Sequence, residues 1–399
     1  MENSTDMAYR RDNFILQFLD SVCQPPKEYS QQDIDDCNEA ISEYECMLQY
    51  AIDVSDVQNR YTAHSLDELL NDVPKNQTIG DNLIRAWSII NNDKYETIVC
   101  SVSGGSDSDI MVDICVRVDI HHKIRYVCFN TGLEYRATKE HIKYLEKKYG
   151  IKIEIFEAWQ HGMTIPKSCK TYGQPFCNKI ASEFIHRLQM HDFKWEDKPF
   201  EELYAEYPRC KSALLWWCNR NPGIRNNISW NKWLKEFLIA NPPAFPVSNM
   251  CCKKAKKDVS HKIKCDLMIV GVRKAEGGAR ASAFKNCFSE KAGQADEYRP
   301  LFWYTNDDKR CYEQHYGIEH SRCYTEYGLK RTGCCGCPCG RNLEFELEVL
   351  QKHEPNLYKA VCTVFKDSYE YTKQYQAFCE VMNKKQKKYY QMSFDEFIT

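Results

Sequence analysis

Thr97-Ile98-Val99-Cys100-Ser101-Val102-Ser103-Gly104-Gly105-Ser106-Asp107-Ser108-Asp109 is the stretch on which the reading of the chain turns. Its first half is a β-branched run, the pattern of a buried strand. It breaks at two glycines and passes into a helical spacing of Ile110, Met111, Ile114, Cys115 and Val118. A strand, a tight turn and a helix start together make an anion seat, because the first-turn N–H groups lack helical partners and the helix dipole favours negative charge there. Gly104 and Gly105 let backbone approach an oxygen without a Cβ in the way. Ser103, Ser106 and Ser108 add hydroxyl donors, and Asp107 either holds the loop or faces a metal. No Gly-Lys-Ser/Thr follows, so this is not a Walker loop.

Outward from this stretch the pattern is α/β. Ile124–Phe129 reads as a second strand, Asn130-Thr131-Gly132 as a turn, Tyr135–Tyr149 as a helix ending at Gly150, and Ile151–Ile155 as a third strand. This order implies a parallel sheet with helices on its faces and ligands beyond the carboxyl ends of the strands. Residues 160–248 interrupt the rhythm as a helical insert rich in Trp, including Trp216 and Trp217. The insert reads as a subdomain with its own core, with Lys179, Arg187, Lys211 and Arg220 keeping a base-stacking surface as the alternative. The strand Asp266–Val270 then resumes the α/β pattern, and Arg273 and Arg280 follow it around Gly277-Gly278. Guanidinium forks there suit phosphate or sulfate, although Arg273 could instead pair locally with Glu276. The sequence divides into a helical N-terminal appendage (1–86), an α/β domain (87–341) and a helical tail (342–399). Faces at Leu16, Leu19 and Val22 and at Ile41, Tyr44 and Leu48 give the appendage a packing role.

The 399 residues carry 54 Lys+Arg against 56 Asp+Glu, which argues against a globally basic coat but allows a local patch. No secretory core opens the chain, since Phe14-Ile15-Leu16 is short and Asp20 follows. No apolar run is long enough for a bilayer, so the expectation is a cytoplasmic protein without a membrane partner. The 22 cysteines are then reduced thiols, and clustered ones suggest a metal. Cys251-Cys252 is a vicinal pair, and Cys334 and Cys337 have C-x-x-C spacing inside Gly333-Cys334-Cys335-Gly336-Cys337-Pro338-Cys339. Neighbouring cysteines share a stiff peptide and reach two corners of one small zinc tetrahedron poorly, whereas they can ligate different irons of a [4Fe–4S] cluster. Iron–sulfur is therefore favoured, with zinc as the alternative and Cys335 or Cys339 able to replace a member of the second pair.

With these motifs on the page, the chain resembles the phosphoadenosine phosphosulfate (PAPS) reductase family of PP-loop adenine-nucleotide α-hydrolases. The likeness rests on Ser103–Ser108, Asn130-Thr131-Gly132, Gly271-x-Arg273-x-x-Glu276 with Arg280, Arg299–Trp303 with Asp307-Asp308, and Tyr327–Gly333 leading into the cysteines. Iron–sulfur members of that family include adenylyl-sulfate reductases and the ATPase of bacterial DNA phosphorothioation. The resemblance implies ATP or an adenylyl sulfate (APS or PAPS) bound at Ser103, Gly104, Gly105, Ser106, Asp107, Ser108, Thr131, Gly132 and Arg273, with Mg²⁺ if the ligand is ATP. It implies Asp107, Arg273 and Arg280 as the catalytic set, and Cys251, Cys252, Cys334 and Cys337 as metal ligands. A nucleic acid or a sulfur carrier is the implied partner, and an oligomer is compatible with it.

The chain also departs from the family. Asn130 replaces the usual Asp, and no Glu-Cys-Gly-Leu-His nucleophile motif exists; the tail has only Cys362 and Cys379. Three functions follow: an AMP-forming ATP pyrophosphatase coupled to sulfur transfer, a sulfonucleotide reductase, or a non-catalytic nucleotide or nucleic-acid binding module.

Overall fold

The computed structural model describes residues 65–277, 283–290 and 293–398, with side chains as far as Gln386. The apolar faces expected near Leu16 and Ile41 lie outside the described residues, as does Arg280. Two compact units emerge, one from the chain up to Gly162 together with Asp258–Cys334, the other from Met163–Lys257 together with Cys335–Thr399.

The first unit is built on a six-stranded sheet of order β3-β2-β1-β4-β6-β5. Its strands are β1 (Ile98–Val102), β2 (Ile124–Asn130), β3 (Ile153–Glu157), β4 (Leu267–Val270), β5 (Phe288–Ser289) and β6 (Asp296–Tyr298). All neighbours pair in parallel except β5, which runs antiparallel to β6 at the edge. The expected strand at Ile151 begins two residues later. Gly150 ends the preceding helix at φ 61°, and Glu146 Oε1 accepts the Ile153 N–H at 2.7 Å, so Ile151 and Lys152 are used in the turn.

The described helices of this unit include α1 (Leu66–Asn71), α2 (Gln77–Ile90), α3 (Ser106–Val118), α4 (Arg136–Tyr149) and α5 (Asn306–Tyr316). Helix α2 is part of the core, since Ile79, Leu83, Ala86 and Ile90 are fully buried against the sheet residues. Helix α3 is buried on nearly every side, which explains its mostly apolar run. Its carboxylate Asp113, fully buried as Asp109 is, is satisfied three ways. Arg117 Nε donates to it at 2.6 Å, Tyr149 Oη at 3.0 Å and Tyr312 Oη at 2.7 Å. One acid thus ties α3 to α4 and α5, and a buried charge is tolerated only with such partners. Asp307-Asp308 has a local use as well: Asp308 closes a capping box with Thr305 at the start of α5.

The second unit is helical. Its core holds Trp216 and Trp217 at zero exposure with Phe176, Phe237 and Leu238. These two tryptophans are core residues, and only Trp230 of this set stands half exposed. The C-terminal helices, drawn as a separate tail from residue 342, pack with the insert. Tyr371 of the helix Lys366–Ile398 lies 4.7 Å from the Phe176 ring and 4.8 Å from Phe237, and Ser368 Oγ donates to the Pro175 carbonyl. The physical reason is area: the insert's aromatics need a third helical layer to leave water. No described helix is long and apolar enough to cross a membrane.

Candidate functional site

The turn between β1 and α3 lies at the carboxyl edge of the sheet. Gly104 sits at φ 63°, and a Cβ there would come within 2.7 Å of Thr138 Cγ2, so both the dihedral and the space require glycine. Gly105 is the N-cap of α3 and gives no side-chain cap, which leaves the helix start without an internal acceptor. Ser108 Oγ turns back to accept the Ser103 N–H at 2.9 Å. Tyr324 Oη accepts the Ser106 N–H at 3.1 Å and meets Thr332 Oγ1 at the same distance. Both hydroxyls also stand near Gly105, so the loop is ringed by Ser103, Ser106, Tyr324 and Thr332.

Asp107 is the electrostatic centre. Arg273 Nε donates to its Oδ2 at 2.8 Å, and Lys309 Nζ to its Oδ1 at 2.7 Å. Lys309 also reaches Ser106 Oγ at 2.6 Å, and Arg273 Nη1 reaches Asn306 Oδ1 at 3.0 Å. Burial alone would raise the Asp107 carboxyl, but Lys309 and Arg273 outweigh it and hold the group below its usual range. In the free protein both Asp107 oxygens are held by cations, Oδ2 by Arg273 and Oδ1 by Lys309. Sequence reasoning placed Arg273 as an anion receiver or a Glu276 partner; here its Nε and Nη1 are engaged by Asp107 and Asn306.

A second charge chain runs behind the loop. Asp109, fully buried, lies 2.9 Å from His141 Nε2 and 2.7 Å from His320 Nδ1. His320 Nε2 contacts Glu313 Oε1 at 2.8 Å, and Glu313 lies 3.6 Å from Lys309. Burial pulls His320 down, yet Asp109 and Glu313 raise it to about 9, so it is an imidazolium at neutral pH. Sequence reading missed Asp109, His141, Lys309, Glu313, His320, Tyr324 and Thr332 as site residues. For Lys309 and Glu313 a signal existed, since they sit one helical turn apart on a segment already tied to the family.

At the end of β2, Thr131 is buried and Gly132 caps the turn. Glu134 accepts from the Thr131 and Gly132 N–H groups at 3.0 Å each, and Asn130 Oδ1 from Gly132 at 3.1 Å. These donors are therefore spent within the turn in the free protein.

The cysteines fall in both units: Cys334 ends the first, while Cys251, Cys252 and Cys337 belong to the second. All nineteen described cysteines are free thiols. Cys169 hydrogen-bonds Cys251 and pushes its thiol up, with burial adding to the rise; the Cys251 contact does the same to Cys252. The hydrogen bond from Cys339 brings Cys337 down, against its burial. Lys179 hydrogen-bonds Cys252 and acts electrostatically on Cys337. Gly336 stands at φ 58° with its carbonyl bonded by Tyr369 Oη, and a Cβ there would meet that hydroxyl at 2.6 Å. The donor chemistry of this neighbourhood suits a thiophilic metal centre, with a lysine to compensate thiolate charge. Among the described residues no group of three or more Cys, His, Asp or Glu side chains is gathered around one metal-ion position.

Comparison with known proteins adds the following. A PAPS reductase from Candida auris in a phosphate complex is 12% identical, covering 68% of this chain and 97% of its own, at a TM-score of 0.31. A U34-tRNA thiolase from Methanococcus maripaludis with its [4Fe–4S] cluster is 14% identical, covering 77% and 81%, at 0.32. An NH₃-dependent NAD synthetase from Campylobacter jejuni in complex with nitrate is 12% identical, covering 77% and 96%, at 0.29. No curated protein matches the chain. Residues 97–213, from the strand before the glycine turn into the insert, match the family model described as phosphoadenosine phosphosulfate reductase domain, and over that stretch the chain is similar to this PP-loop family.

Proposed function

We propose that the chain is an ATP-using PP-loop enzyme that releases pyrophosphate and activates an acceptor, on a nucleic acid, for sulfur transfer. The observation that carries this is the arrangement at the loop: Arg273 and Lys309, drawn from distant segments, converge on Asp107 at the first turn of α3, and Lys309 also reaches Ser106 Oγ. Two cations thus border a glycine turn where backbone can approach a phosphate oxygen. In the reaction, an acceptor oxygen attacks the α-phosphorus and the bond to the pyrophosphate oxygen breaks; a sulfur nucleophile then displaces AMP. The residues act by position and charge. Ser103, Ser106 and Ser108 with the glycine backbone hold the phosphates, Arg273 and Lys309 stabilise the charge that develops on the pyrophosphate, and Arg280 is the further cation expected from sequence. Mg²⁺ would accompany ATP; Asp107, whose two oxygens are held by Arg273 and Lys309, would meet it only on releasing one of them.

Cys251, Cys252, Cys334 and Cys337 would hold a [4Fe–4S] cluster, which supplies a sulfur- or electron-handling centre; zinc is the alternative. A cluster spreads its ligands over several irons, so its cysteines need not converge on one ion position. The reductase reading is weaker. Burial raises both Cys362 and Cys379, the only cysteines of the tail beyond the Cys339 knot, and neither is primed as a thiolate nucleophile.

The test is pyrophosphate release from ATP by anaerobically purified protein, with iron, zinc and sulfide measured in the same sample. Pyrophosphate release that Ser103→Ala lowers supports the reading. Sulfite release from adenylyl sulfate without pyrophosphate from ATP replaces it with the reductase. Nucleotide binding without turnover, unchanged by Ser103→Ala, reduces the chain to a binding module.

A further inference from the structure

We infer that the second unit carries a lysine face that binds the phosphodiester backbone of a nucleic acid beside Cys252. Segment 163–257 has sixteen Lys and Arg against eight Asp and Glu, in a chain whose total is −2. The excess is not spread evenly. Residues 163–182 and 237–257 contain no acid at all; Glu183, Glu236 and Asp258 bound these segments rather than interrupt them.

The fold brings the two acid-free segments together. The helix Ile165–Tyr172 of the first packs against Met250–Cys252 and Lys253–Lys257 at the end of the second. Beyond Cys252 the chain makes a π-helical turn, Lys253–Lys257, that buries Ala255 and leaves Lys253, Lys256 and Lys257 exposed. Such turns are rare and concentrate at functional sites. Lys254 lies 6.0 Å over the Tyr172 ring, linking the turn back to the helix, whose Lys167 and Lys170 are also exposed. Lys179, exposed on the first segment, completes the face, and Asn249, which precedes the thiols, donates to its carbonyl at 3.0 Å. Asp258 and Asp367 stand at its border, and Asp367 accepts from Gln174 at 2.9 Å.

The chemistry selects a polyphosphate strand over a protein. Protein interfaces are depleted of lysine and rely on aromatic, Met and Arg anchors, whereas Lys is a standard contact of nucleic-acid phosphates. None of the large exposed apolar side chains falls on 163–172 or 250–257. Phosphate contacts of this kind position a strand without reading its sequence. Polyanion binding stands without the proposed reaction; that the strand is the sulfur acceptor rests on it.

The experiment is fluorescence anisotropy of short labelled single- and double-stranded oligonucleotides with the full chain across about 50–200 mM salt. The variant reverses four exposed lysines, Lys167→Glu, Lys170→Glu, Lys256→Glu and Lys257→Glu. A control reverses four others, Lys147→Glu, Lys352→Glu, Lys366→Glu and Lys373→Glu, for the same change in net charge. Both are checked for native circular dichroism and for ATP binding. The expected result is binding about tenfold or more weaker in the face variant, with a salt slope shallower by about three, and a much smaller change in the control. Equal losses in both variants, no binding by the wild type, or equal competition by polyglutamate overturns the inference. Loss of ATP binding by the wild type itself would overturn the proposed function and leave the face standing.

Discussion

Replacing Lys309 by Met removes one positive charge from the loop while keeping the unbranched stem of the side chain. Its ammonium lies 2.7 Å from Asp107 Oδ1 and 2.6 Å from Ser106 Oγ, and the Lys309 and Asp107 side chains are both 14% exposed. Stripping one partner from a fully buried pair costs about 3–5 kcal/mol, but Asp107 keeps Arg273. The remaining loss is that of a charge-assisted hydrogen bond, about 2 kcal/mol. The assay is urea unfolding of wild type, Lys309→Met, Asp107→Asn and the double variant, which isolates the coupling of the pair. The pH dependence has a defined sign. Asp107 is depressed when folded, so its stabilisation is complete above the unfolded value near 3.8 and fades as pH falls through the lower folded value. Without Lys309 the burial of Asp107 is less opposed, its carboxyl titrates higher, and acid unfolding starts at higher pH. A coupling below about 0.5 kcal/mol, the level of an exposed pair, would refute the claim that this carboxylate anchors the loop.

Other perturbations follow from the same geometry. His320, raised to about 9, gives stability that is full below its unfolded value near 6.5 and is lost as pH rises through 9; His320→Gln should flatten that decline, and NMR should find the imidazole protonated at pH 8. Gly104→Ala puts a Cβ 2.7 Å from Thr138 at φ 63° and should cost about 1–3 kcal/mol and abolish nucleotide binding, measured by denaturation and calorimetry. Gly336→Ala meets the Tyr369 hydroxyl at 2.6 Å and Val361 Cγ2 at 2.9 Å; it should lower the melting temperature and, in anaerobically purified protein, reduce bound metal. Cys252→Ser should lower the iron and sulfide content while leaving ATP binding intact; full retention of both would remove Cys252 from the ligand set.

The sheet centre was legible because β1 is buried on both faces, and such strands write themselves as near-continuous apolar runs; β2 keeps that pattern apart from the exposed Arg125. The β6–β5 side was not. β6 is Asp296-Glu297-Tyr298, three residues with no apolar rhythm, held by parallel pairing to β4 and by Lys94 and Tyr95 donating to Asp296. The tail's attachment to the insert was hidden for a similar reason. Tyr371 and Tyr375 look like one face of any amphipathic helix, and nothing local says that Phe176 and Phe237 complete that face.

The loop shows where one-dimensional reading stops. Ser103–Ser108 is contiguous, so its turn and its hydroxyls could be read directly. Its charge balance could not, because Asp107 draws its cations from the strand end at Arg273 and from α5 at Lys309, each far away in sequence. The same acid-rich turn that begins α5 holds Lys309 in place: the Thr305–Asp308 capping box fixes the helix start, and Asn306 braces Arg273. The sequence offers Asp307-Asp308 only as part of the family likeness. The geometry gives Asp308 a mechanical task, setting the helix from which the lysine reaches the loop. Under the proposed function, a nucleotide arriving at Gly104 and Gly105 would meet cations already aimed by the scaffold, with Asp107 holding them there until a phosphate competes for them.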